Sequence, residues 1–214
     1  MRYYPVLLDI AGKIAVVVGG GPVAARKAIG LLESGARVTV IAPEVVEEIQ
    51  ELIDAGVVEH VARPYKNGDL AGAAIVVAAT DSPAVNREAA AEAGRTGIPV
   101  NCAAPPRSGN FIVPSSVYRS GLTVSISTDG ISPAFSKKLR ISIEEFIDKG
   151  YGPVLDFLSY ARDQLKIRVP DTKVRSAILS ELVNSDLIDM FLDDPYSALP
   201  AGMERLEAAI NARV

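Results

Sequence analysis

The chain has 214 residues, 49% of them hydrophobic, no Trp, and 26 acidic against 22 basic side chains, the balance of a globular chain with room for more than one domain. Its one His, His60, and one Cys, Cys102, exclude a Cys/His metal cage and an intramolecular disulfide, and leave a His-dependent triad only if His60 lies beside the nucleophile, so chemistry is expected to rely on a borrowed cofactor. A net charge of −4 argues against nonspecific nucleic-acid binding. No run of about 18 apolar residues is present, and Pro5 and Asp9 spoil a signal peptide, which points to a cytoplasmic protein without membrane contact.

From Lys13 onward, apolar β-rich runs at 14–18, 38–42, 57–62, 74–79 and 98–103 alternate with helical stretches, which predicts a parallel α/β sheet buried on both faces. The helices are punctuated by Pro22 and Gly35, by Pro43 and Gly56, and by a start at Ser82-Pro83. In the second, Val45, Ile49, Leu52 and Ile53 share one face. After Gly109 the rhythm changes: two strand-like segments flank Arg119-Ser120-Gly121, and Ser132-Pro133 opens a helix carrying Phe135, Leu139, Ile143, Phe146 and Ile147. From Gly152 the chain reads as three or four helices broken at Pro170, at Asp194-Pro195 and at Pro200-Ala201-Gly202. The expected organisation is a Rossmann-type domain over 1–112, a small α/β segment over 113–150 and a helical domain over 151–214.

Gly19-Gly20-Gly21-Pro22-Val23-Ala24 satisfies G-x-G-x-x-A between the first strand and the first helix. Gly19 permits the tight turn, Gly21 lets a pyrophosphate approach the backbone, and Ala24 lets the helix pack closely. The helix N-terminus offers N–H groups to the anion. A carboxylate about 20 positions on usually grips the ribose, but that stretch is Val40-Ile41-Ala42-Pro43, with Glu44 the first acid, and no Arg is placed to meet a 2′-phosphate, which favours NAD. Thr80, ending the fourth strand run, either lines the nicotinamide side or belongs to a helix-capping stretch with Asp81 and Ser82. His60 reads as structural within a strand, and Cys102 as a core side chain.

Together GGGPVAARKAIGLLESGARVTVIAPE, AATDSPAVN and NFIVPSSVYRSGLTVSISTDGISPAFSKKLR, with the helical tail, resemble the siroheme synthase N-terminal family, the precorrin-2 dehydrogenases, some of which are also sirohydrochlorin ferrochelatases. The resemblance implies NAD-dependent oxidation of precorrin-2 to sirohydrochlorin by a homodimer whose middle segment makes the dimer contacts. It matches Gly21, Pro22 and Val23 to the pyrophosphate turn and Pro43 with Glu44 to the second cofactor contact. It also places Asn101, Ser127 and Thr128 near the substrate, although the two hydroxyls could equally serve local turns. In 214 residues no fused uroporphyrinogen methyltransferase domain is expected.

The sequence departs from the family at Ala104, where an aspartate assigned to dehydrogenation and chelation is common. Alanine neither transfers a proton nor binds a metal, so chelation is expected to suffer most and no metal-binding residues are assigned. Asp129 is a candidate replacement catalytic carboxylate, against the alternative that Asp129-Gly130 is an ordinary turn. Between Ala104 and Arg140 five cations (Arg107, Arg119, Lys137, Lys138, Arg140) face only Asp129, a local +4 that leaves −8 elsewhere and suggests a basic lining for an eight-carboxylate substrate, with Arg107 and Lys137 among its contacts. Two alternatives stay open: a bifunctional dehydrogenase and ferrochelatase, and a non-catalytic NAD- or tetrapyrrole-binding sensor.

Overall fold

The structure is a computed structural model that describes residues 3–148 and 150–213. The chain divides after Val113 into two compact units.

In the first unit five strands, β1 (Ile14–Val18), β2 (Arg37–Ile41), β3 (Val58–Val61), β4 (Ile75–Ala78) and β5 (Val100–Cys102), form one all-parallel sheet in the order β3-β2-β1-β4-β5. The predicted parallel α/β sheet is present, each strand within its predicted run or one residue beyond it. Alternate β1 residues serve opposite faces: Ala15 and Val17 pack with α1 (Pro22–Glu33) and α2 (Glu47–Asp54), while Val16 and Val18 pack with α3 (Pro83–Thr96) and Leu70. Burial on both sides explains why the strand runs are continuously apolar rather than alternating.

One expectation needs correction. The second helix starts at Glu47, not at Pro43; residues 43–46 stay extended or irregular because Gly20 carbonyl accepts the Val46 N–H at 2.8 Å, tying this stretch to the glycine turn. Val45 therefore packs against the core from outside the helix. The crossover from β3 to β4 carries no helix at all, so residues 62–74 cover the sheet as an irregular segment.

The second unit begins with the hairpin β6 (Ser115–Arg119) and β7 (Leu122–Ile126), whose turn residues Ser120 and Gly121 both have positive φ, 44° and 81°. The helix α4 (Pro133–Ile147) packs on the hairpin, its N-terminus capped by Ser132, whose hydroxyl accepts the Phe135 N–H at 3.2 Å. Then α5 (Tyr151–Arg168), α6 (Thr172–Val183), α7 (Leu187–Asp193) and α8 (Pro195–Asn211) enclose a separate core around Phe157, Leu165, Leu187 and Phe191. The break expected at Pro200 is absent: α8 runs through it. Near the helix start a proline removes one intrahelical bond, and the face formed by Ala198, Gly202, Leu206 and Ile210 is buried in the bundle. Gly202 is a packing residue, since a Cβ there would lie 2.9 Å from the Phe157 ring. The breaks at Pro170 and Asp194-Pro195 are present, and a further one lies at 184–186, between α6 and α7.

Candidate functional site

The glycine turn sits at the carboxyl end of β1, in the middle of the sheet. Gly19 has φ 124°, and a Cβ there would lie 2.4 Å from Ala79 carbonyl oxygen, so both conformation and space require glycine. Gly20, the unassigned position of the motif, is held tighter still, with Glu44 carbonyl oxygen 2.0 Å from where its Cβ would be. Gly21 is different: its φ of −85° suits any residue, and nothing lies within 4 Å of its would-be Cβ. The space in front of Gly21 is therefore open. Pro22 occupies the first position of α1 and Val23 is exposed beside it. Among the described residues, the N–H groups of Gly20, Gly21, Val23 and Ala24 have no protein acceptor, and no side chain caps the helix. Four donors at a helix N-terminus, with no Cβ in front of them, fit a pyrophosphate.

These residues open on a cleft of about 520 Å³ lined by Gly19, Gly21, Pro43, Glu44 and Thr80 among others. Five of the seven predicted cofactor residues thus come together; Pro22 and Val23 stand just outside, on the helix. The charged side chains of the cleft are Glu44 and Asp81, and no Lys or Arg of the described residues lines it. Negative charge on the ligand must therefore be met by backbone dipoles, and an additional phosphate beside Glu44 would meet no cation.

A fully buried Asn86 on α3 organises the far wall. Its Oδ1 accepts the Thr80 N–H at 2.9 Å and lies 2.9 Å from the Thr80 hydroxyl, while its Nδ2 donates to the carbonyls of Thr80 and Ala104, both at 2.9 Å. One side chain so fixes the exits of β4 and β5. The motif reading missed Asn86, although a signal exists: it lies on the apolar stripe of α3 with Ala89, Ala90 and Ala93, where a polar residue must have partners.

The other predicted site residues are placed as follows. Ala104 is exposed at the exit of β5, and Arg107, in a short 3-10 turn (Pro106–Ser108) just beyond, is exposed with no hydrogen bond or ion pair among the described residues. Asn101 donates from Nδ2 to the Phe111 carbonyl at 3.0 Å, pinning the segment that runs along β5. Ser127, Thr128 and Asp129 lie in the second unit. Asp129 has φ 50° and its N–H donates to Ser127 Oγ at 3.1 Å; the Thr128 hydroxyl donates to the Ser132 carbonyl at 3.2 Å. All three take part in the turn that leads into α4, and Lys137 is exposed on that helix.

The +4 reading of 104–140 needs correction. Arg119 pairs with Glu144 and Asp148, and Arg140 pairs with Glu144, acids that lie just past the counted segment. Counting to Asp148 leaves +1, with Arg107, Lys137 and Lys138 outside these pairs. His60 keeps a structural role, its Nε2 2.9 Å from the Ala42 carbonyl, and burial pushes the Cys102 thiol up, away from reactivity. Among the described residues no three His, Cys, Asp or Glu side chains gather as a metal site would require, and no helix is long and apolar enough to cross a membrane.

Comparison with known proteins agrees with this geometry. A family model described as putative NAD(P)-binding matches residues 6–115. A siroheme synthase of Thioalkalivibrio sulfidiphilus is 34% identical over all 214 residues, covering 100% of this chain and 44% of the relative. One from Pseudomonas paraeruginosa is 35% identical over 206 residues, covering 96% and 43%. The chain thus spans less than half the length of these curated relatives. A solved structure titled SirC, precorrin-2 dehydrogenase, superposes with a TM-score of 0.79 at 28% identity, over 96% of this chain and 100% of that one.

Proposed function

This chain belongs to the putative NAD(P)-binding family, with siroheme synthases as relatives along its whole length, and from that premise we propose that it oxidises precorrin-2 to sirohydrochlorin with NAD. The observation that carries the reading is the cleft at β1: four backbone donors without acceptors, an open Gly21, and an acidic rim. The likeness to a precorrin-2 dehydrogenase over the whole of that protein's length supports the choice of substrate.

When bound, NAD supplies the hydride acceptor. The Gly19–Gly21 turn and the first turn of α1 hold the pyrophosphate, Glu44 accepts from the ribose hydroxyls, and its charge together with the missing cation favours NAD over NADP. Thr80, immobilised by Asn86, forms the wall on the β4 side. Arg107 is the cation placed to meet a substrate carboxylate. The oxidation removes a hydride and a proton from the macrocycle; with Ala104 offering no base, the proton passes to water, and catalysis rests on positioning. Asp129→Asn should leave the rate unchanged on this view, and a large loss of NADH formation would restore Asp129 as the base.

Purified protein given precorrin-2 and NAD should form NADH, with slower turnover on NADP. Binding of NAD and precorrin-2 without turnover would replace the enzyme by a sensor. The bifunctional alternative is disfavoured by Ala104, and iron-dependent conversion of sirohydrochlorin above the uncatalysed rate would restore it. A cytoplasmic homodimer is part of the same reading. Its support is an unusual apolar exposure on the hairpin, α4 and the turn between them: Tyr118 at 65%, Ile131 at 87%, Phe135 at 52% and Phe146 at 56%. A two-stranded hairpin with such a face is marginal unless covered. Sedimentation at micromolar concentration should show twice the chain mass.

A further inference from the structure

The irregular crossover between β3 and β4 contains a buried device that pyrophosphate binding does not use. Glu92, on α3, is only 6% exposed, yet it forms no ion pair among the described residues. Its carboxylate accepts the Tyr65 hydroxyl and the N–H groups of Gly68 at 2.8 Å and Leu70 at 3.1 Å. The same stretch is fastened twice more: Arg63 grips Asp69 through two 2.7 Å contacts, and Arg95 of α3 donates to Asn67 Oδ1 at 2.8 Å. A buried carboxylate is costly unless its lone pairs are filled, and an apolar residue would pack α3 more simply. The arrangement makes physical sense if what Glu92 holds must be held still.

What it holds is a wall of the cleft. Pro64 and Tyr65 line the cofactor cleft at the exit of β3, alongside Ala42, Pro43 and Val45 from the exit of β2. A dinucleotide whose pyrophosphate lies on the glycine turn and whose ribose meets Glu44 directs its base toward this side. Among the described residues the only aromatic side chain lining the cleft is Tyr65, and a flat base gains most from an aromatic face whose orientation is already fixed.

We propose that Tyr65 is the side chain that receives the adenine base, and that Glu92 is a positioning residue acting through it. The proposal rests on the NAD reading above. It predicts an effect confined to the adenine half of the cofactor.

Calorimetric titration of the full chain with NAD, AMP and nicotinamide mononucleotide tests it. Tyr65→Ala should weaken AMP and NAD by roughly tenfold or more and leave nicotinamide mononucleotide unchanged. Glu92→Gln should weaken AMP several-fold alone and add little in the Tyr65→Ala background, because the two act in one chain of contacts. Equal cost of Glu92→Gln in both backgrounds, or AMP affinity untouched by Tyr65→Ala, overturns the proposal. Should Tyr65→Ala fail to fold, Tyr65→Phe keeps the ring volume. With no Trp in the chain, intrinsic emission is from tyrosine, and the quench caused by AMP should vanish in Tyr65→Phe; an undiminished quench also overturns it. Wild-type protein that binds neither NAD nor AMP would instead remove the cofactor reading itself.

Discussion

Substituting neighbouring glycines of the turn should separate stability from cofactor binding. In Gly21→Ala the new methyl meets no protein atom within 4 Å, and the backbone, at φ −85° and ψ −178°, is one alanine adopts without strain. Stability should stay within about 0.5 kcal/mol of wild type. The methyl does occupy the approach to the free N–H groups, and each charge-assisted hydrogen bond lost to a phosphate is worth about 1.5–3 kcal/mol, so NAD affinity should fall on the order of tenfold to a hundredfold per bond. In Gly20→Ala the methyl would sit 2.0 Å from Glu44 carbonyl oxygen, about 1.4 Å inside the 3.4 Å at which ordinary contact begins. The turn or residues 44–46 must move, and overpacking of that kind costs about 1–3 kcal/mol. For a chain of this size that lowers Tm by roughly 2–12 °C. Thermal unfolding by circular dichroism and NAD titration on the same samples read both quantities. Normal NAD affinity in Gly21→Ala, or an unchanged Tm in Gly20→Ala, would refute the placement of pyrophosphate over Gly21 and the steric role of Gly20.

Asn86→Ala removes the partners of the Thr80 N–H and the Ala104 carbonyl in a part-buried site, and should cost about 1–3 kcal/mol, seen as a shift of the denaturant midpoint. Arg107→Ala should raise KM for precorrin-2 by roughly tenfold while the Kd for NAD stays put; a parallel loss of NAD affinity would place Arg107 elsewhere. Stability should also fall in acid. Burial alone would raise the Glu92 carboxyl, but its hydrogen bonds from Tyr65, Gly68 and Leu70 outweigh that and hold it below the ordinary range, and the Arg63 contact does the same for Asp69. Carboxyls depressed in the folded state stabilise it above their unfolded pKa of about 4, and that contribution is lost as pH falls through the folded values. Tm measured from pH 6 down to pH 3 should drop, and Glu92→Gln should flatten the slope.

Strand runs, the glycine turn and helix starts such as Ser82-Pro83 and Ser132-Pro133 were legible because each is a local matter: period, φ and a side-chain cap reaching its own first turn. The family resemblance extended this to the expected chemistry without showing where the groups meet. Helix α2 was misplaced by four residues because a carbonyl of Gly20, more than 20 positions away, holds Val46. Pro200 looked like a break for the opposite reason, a local signal overridden by burial of the α8 face.

The chain's composition and patterning by themselves determined a parallel α/β sheet with a glycine-rich turn of G-x-G-x-x-A spacing, an acidic exit from β2 and no set of Cys and His for metal or thiol chemistry. Only the tertiary structure decided which polar groups stay available. It consumed Arg119 in ion pairs, engaged both the Oδ1 and the Nδ2 of Asn86, and buried Glu92 behind Tyr65. The physical reason is range: dihedral preference and hydrophobic period act within a few residues, whereas hydrogen-bond and charge partners are chosen by folding from positions 6 to 29 apart in the chain.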